Sequence, residues 1–120
     1  MIYIFNMLWR DEKYSIDVII DSIGKIDNKV RICDFFDNVT LKRPDAIKLI
    51  IFTIEGEPIF ITIIYNGNFI KLIDDSTKTN SKHYNEYTGN KYLKEAQGEM
   101  ITYSLYQDEE FIRRMFSYRN

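Results

Sequence analysis

The sequence predicts an α+β fold: an antiparallel sheet of about five to seven strands, with two helices packed mainly on one face. Three observations predict it. Residues 47–73 form the most apolar stretch, punctuated by Glu55-Gly56-Glu57-Pro58 and by Asn66-Gly67. Both connections are too short for a parallel crossover and each has a glycine able to take φ > 0, so three antiparallel strands follow. Ile32, Phe35, Phe36 and Val39 recur at i, i+3, i+4 and i+7, the stripe of a buried helix face. Finally, Asp108-Glu109-Glu110 precedes Arg113, Arg114 and Arg119, acid first and base last, as the dipole of a second helix prefers.

Taken in order, residues 2–8 and 14–20 read as strands around the polar Arg10-Asp11-Glu12-Lys13. Gly24 and Asp27-Asn28 break the pattern. A helix over 28–41 follows, with Asp27 or Asn28 accepting from its first free amides and Arg43-Pro44 ending it. The meander strands are 46–54, 59–65 and 69–74. They are apolar on both faces: Ile59, Ile61 and Ile63 point one way, Phe60 and Ile64 the other. Both faces therefore need cover, from helices on one side and from the chain termini, a dimer or a partner on the other. Residues 75–90 are polar and read as a long loop. Residues 91–95 and 99–106 flank Ala96-Gln97-Gly98 as a hairpin. The last helix starts at Asp108, with Phe111, Ile112, Met115 and Phe116 turned inward.

A chain of 120 residues is read as one domain, residues 1–120, able to bury about two-thirds of its unfolded surface without staples. A formal charge of -2 offers no general attraction to nucleic acid or to anionic lipid. Cys33 is the only cysteine, which favours a reducing compartment, and it is expected to fill a small gap in the core. The first five residues lack a basic region and no stretch nears the roughly 18 apolar residues of a membrane span, so a cytoplasmic location is expected. Twenty isoleucines against two alanines suggest an AT-rich genome.

At Thr53-Ile54-Glu55-Gly56-Glu57-Pro58-Ile59-Phe60, and again through Tyr65-Asn66-Gly67-Asn68-Phe69-Ile70-Lys71 and Asp74-Asp75-Ser76, the chain resembles a family of small domains. These are domains of unknown function in Bacillus and relatives, often found in lipoproteins. The resemblance spans about residues 17–106 and implies the order of elements and an origin in Firmicutes or their phages. Members typically carry a lipoprotein signal and a cysteine pair, and neither is read here. It transfers no catalytic residue.

No spacing points to catalysis, a metal or a cofactor. His83 lies in the polar loop, and its pairing with Cys33 is not implied by sequence. The more suggestive cluster is Tyr84, Asn85 and Tyr87 with Tyr92, flanked by Lys82 and His83: stiff amphipathic side chains beside adaptable polar ones, the chemistry of protein-binding surfaces. The expected function is a non-enzymatic module that occludes a protein partner, such as a toxin or a component of host defence, in the manner of immunity proteins and phage inhibitors. A homodimer through a sheet face is a further option. The alternative is a binder of a small ligand between layers, with Lys71, Lys78, Lys82 and Lys91 near an anionic group. A hydrolase or nuclease using Glu55, Glu57, Asp74 or His83 ranks last.

Overall fold

A computed structural model describes residues 15–120, so the strand expected at 2–8 lies outside the described residues. The elements are β1 (Val18–Ile20), β2 (Ile26–Asp27), α1 (Lys29–Thr40), β3 (Asp45–Phe52), β4 (Pro58–Tyr65), β5 (Ile70–Asp75), β6 (Tyr84–Gly89), β7 (Lys91–Gln97), β8 (Met100–Gln107) and β9 (Glu110–Arg119). Six strands make one sheet in the order β2-β1-β3-β4-β5-β6, and β7-β8-β9 make a second. The β1–β3 pair is parallel, as the intervening helix allows, whereas β3, β4 and β5 form the expected antiparallel meander.

The meander turns as its sequence dictates. Gly56 takes φ 86 in the first connection, where the Thr53 amide donates to the Glu57 carbonyl at 2.9 Å. In the second, Gly67 takes φ 102 while the Asn66 side-chain oxygen accepts from the amides of Asn68 and Phe69. Period-two alternation then buries Ile47, Leu49, Ile61, Ile63, Ile70 and Leu72 on the inner face.

The helix matches its expected stripe, with Ile32, Phe35, Phe36 and Val39 buried. Its start does not match. Asn28 sits at φ 69 with no side-chain cap, and its carboxamide instead donates to the Asp17 carbonyl at 2.8 Å. Cys33 lies one residue past Ile32, off the stripe, and is exposed rather than a core filler. Phe36 stacks on Tyr103 of β8 at 4.2 Å between centroids and also meets Tyr92 of β7 and Phe116 of β9. The helix thus packs on β1 and β3 with one side and on the second sheet with the other. Truncating so buried a phenylalanine to alanine costs about 3–5 kcal/mol.

The fold class differs from the prediction. Among the described residues there is one helix and nine strands in two sheets, so the two-helix α+β arrangement is incorrect. The expected last helix is the strand β9. Its pairing with β8 runs Phe116↔Tyr103, Arg114↔Ser104, Arg113↔Leu105 and Phe111↔Tyr106, leaving Met115 and Ile112 as extra residues at two bulges. Each bulge inserts a residue into the alternation. The apolar positions consequently fall three and four apart, which imitates a helix stripe. Asp108, read as a helix start, takes φ 56 in the two-residue turn between Gln107 and Glu110.

The second sheet covers the inner face of the first, and the two meet at two corners. At one, Gly89 and Asn90 lead from β6 into β7, and the Asn90 amide donates to the Tyr106 carbonyl at 2.9 Å. At the other, the Arg119 amide donates to the Gly24 carbonyl at 2.7 Å, beside a bridge between Lys25 and Arg119.

Candidate functional site

The outer face of the six-stranded sheet, turned away from α1 and from the second sheet, is the first candidate. Strand register aligns its side chains in rows. One row runs Ile19, Ile50, Phe60, Asp75, Tyr84, the next Lys48, Thr62, Ile73, Glu86, and the third Ala46, Ile64, Lys71, Thr88. Ile19 is 41% exposed, Ile64 38% and Tyr84 52%, while Ile50, Phe60 and Ile73 are half-buried. A groove of about 380 Å³ crosses this face, with Phe60 and Ile73 in its floor and Thr77, Lys78 and Tyr84 at its side. At the same edge, Lys71 Nζ lies 3.0 Å from Glu86 Oε1 and the Tyr84 hydroxyl donates to Glu86 Oε2 at 3.0 Å. The hydrogen bond from Lys71, then that from Tyr84, holds the Glu86 carboxyl below the usual carboxylate range, and Glu86 in turn raises the Tyr84 phenol.

The six residues singled out from sequence separate into two groups. The polar stretch expected as one loop over 75–90 is a shorter connection followed by β6, so Tyr84, Asn85 and Tyr87 alternate across a strand. Tyr84 faces outward, with the exposed Lys82 and His83 just before it in the chain. Asn85 and Tyr87 face inward, and Tyr87 lies under the Arg113 guanidinium at 5.0 Å. Tyr92 packs on Phe36 at 4.7 Å, and its hydroxyl is 2.9 Å from Thr40 Oγ1.

A second site lies between the sheets. The inner face at Ile51, Ile59 and Ile61 and the strand β9 leave a cleft of about 500 Å³. Asp74, only 7% exposed, stands in its wall. One carboxylate oxygen accepts from Ser76 Oγ at 3.0 Å and the other from Arg113 at 3.2 Å. Sequence reading missed the arginines here because they were placed at the end of a helix. The carboxylates named for a hydrolytic reading do not converge: Glu55 and Glu57 belong to the β3–β4 connection, whereas Asp74 faces the cleft from β5. Among the described residues no three His, Cys, Asp or Glu side chains gather as metal ligands.

Residues 16–110 match a domain of unknown function, DUF4362. The chain belongs to that family. The DUF4362 match runs from just before β1 to the first residue of β9 and so takes in the whole outer face and all six residues singled out from sequence. No curated protein and no solved structure matches the chain. Among the described residues of this DUF4362 chain, no helix is long and apolar enough to cross a membrane.

Proposed function

We propose that this DUF4362 chain is a non-enzymatic binding module that holds a protein partner on the outer face of its six-stranded sheet. The observation that carries the reading is the arrangement of that face. Ile19, Ile50, Phe60 and Ile73 form an apolar centre, while Lys48, Lys71, Asp75, Glu86 and the half-exposed Tyr84 border it. An apolar centre with a mixed-charge rim and a tyrosine at its margin is the anatomy of a protein interface. The partner complementary to it has an apolar centre of its own and charges of both signs around it. Covering the working surface of a toxin, a defence component or an enzyme would make the module an inhibitor or immunity protein. We place it in the cytoplasm of a Firmicute or its phage, in keeping with the single cysteine and the isoleucine-rich composition.

The test is quantitative recovery of a partner from the source cell with the wild-type chain, Phe60→Glu and Tyr84→Ala. One stoichiometric partner is expected, lost with Phe60→Glu and weakened about tenfold with Tyr84→Ala, while Tyr84→Ala keeps its melting temperature and Phe60→Glu, placed opposite Asp75, melts lower but still cooperatively. A monomer that recovers no partner, or a partner equally retained by Phe60→Glu, overturns the reading. Sedimentation supplies one further outcome. A dimer dissolved by the same substitution makes the partner a second copy of this chain.

A further inference from the structure

The edge of the second sheet has features that an interface on the outer face of the first does not use. Among the described residues β7 pairs with β8 alone, so the backbone along its other edge has no strand partner. The β7–β8 register runs without a bulge from Lys91↔Tyr106 to Gln97↔Met100, and every β7 residue except Tyr92 is exposed. A regular, exposed edge is a template for another strand. Tyr92 packs on Phe36 of α1 and Lys94 lies 6.0 Å from the Tyr103 ring. By alternation, Lys91, Leu93 and Glu95 point away from the helix, and Leu93 is 40% exposed.

The sequence of β7 is complementary to itself in one register. Opposed side chains of an antiparallel pair share a face, so two copies related by a two-fold axis set one residue against itself. With Leu93 on the axis, Lys91 of each copy opposes Glu95 of the other, and Tyr92 opposes Lys94. Leucine then meets leucine between two pairs of opposite charge. Moving the axis to Lys94 or to Glu95 sets that residue against its own copy, a like-charge pair that opposes association. With Tyr92 on the axis, no charged residue opposes another. Glu95 makes no ion pair with a described residue, and Lys91 holds Glu109 only loosely at 3.7 Å. Both are free to pair across the axis.

We propose that β7 pairs antiparallel with β7 of a second copy, Leu93 on the two-fold axis and Lys91 opposite Glu95. The two small sheets then run on as one. Each copy offers a single β7 edge, so the pairing closes at a dimer. One strand pair is a small contact, below the range of stable interfaces, so the chain is monomeric in dilute solution with this edge free. The pairing is independent of the partner surface on the outer face.

Sedimentation equilibrium of the full chain from about 10 µM to about 1 mM tests it, with monomer expected at the low end and dimer at the high end. Lys91→Glu and Glu95→Lys should each weaken the dimer about tenfold by opposing like charges, and the double variant should restore it. Both side chains are exposed, so all three variants should fold and melt as the wild type does in dilute solution. In mixtures of labelled and unlabelled chain, intermolecular NOEs should join the Leu93 methyls of the two copies. Phe60→Glu, on the other sheet, should leave the dimer intact. The proposal is overturned by a monomer at every concentration, by single variants that dimerise as the wild type does, by a double variant that stays monomeric, or by a dimer that Phe60→Glu dissolves. Recovery of a protein partner on the outer face is unaffected by the β7 variants, so the two readings fail separately.

Discussion

Asp45 accepts four hydrogen bonds at the start of β3: from both terminal nitrogens of Arg31 at 3.0 and 2.8 Å, from the Asn38 carboxamide at 3.0 Å, and from the Ala46 amide at 2.7 Å. Burial pushes its pKa up, but the bonds from Arg31, Asn38 and Ala46 together outweigh that and leave it below the usual carboxylate range. A depressed folded pKa contributes stability above the unfolded value of about 3.9, and that stability is lost as the pH falls through the folded value. Asp45→Asn should therefore cost about 2 kcal/mol at neutral pH, and the gap to wild type should close at pH values below the folded pKa. Urea unfolding of both proteins across acid pH checks it; a gap that stays constant would remove the charge from the explanation. Little of this was legible in the sequence. Arg31 lies on the helix and Asp45 on the following strand, and only the fold brings them together.

At the scale of elements, the legible parts were those marked by turn residues or by one clean period. Gly56 and Asn66-Gly67 mark the turns of the meander and α1 has a period of 3.6, and both formed where the sequence placed them. The hairpin through Gly98 also formed, with Gly98 at φ 61 between Gln97 and Met100. β9 was misread because two bulges and a charge gradient together imitate a helix, and local sequence carries no signal that separates the two. β6 was missed for a different reason. Its inward positions are Asn85, Tyr87 and Gly89, so its alternation is not apolar. The same logic orders the elements by protection. β7 is exposed along most of its length at the edge of the small sheet, whereas β4 lies inside the large one. Hydrogen exchange should be slower in β4 than in β7 by about tenfold or more. Equal rates would mean that the edge of the small sheet is covered in solution.

The described residues form two sheets joined at their corners, and one corner depends on an absent side chain. A β-carbon on Gly89 would stand 2.9 Å from Leu105 Cγ and Cδ1 and closer still to the Tyr106 carbonyl. Gly89→Ala should cost about 2 kcal/mol or more, because backbone cannot move aside as a flexible side chain can. Gly56→Ala is the comparison: its φ of +86 is strained for alanine but nothing lies within 4 Å, so about 1 kcal/mol is expected. Thermal melts of the two variants in parallel decide it, and a Gly89→Ala loss no larger than that of Gly56→Ala would refute the steric account. That Phe60 and Ile64 sit on the face opposite Ile59, Ile61 and Ile63 was readable from their alternation. That the cover on one side is a sheet was not, because it rests on β9.

The opposite corner, where Arg119 closes on Gly24, has a consequence for synthesis. During translation Gly24 leaves the ribosome long before Arg119 exists, so this closure joins distant parts of the described chain and cannot form until β9 has been made. The isoleucine-rich meander emerges in between, with its inner face awaiting the strands that will cover it. The nascent chain therefore passes through an interval in which α1 alone covers part of its stickiest surface, the condition under which chaperones bind and aggregation competes with folding.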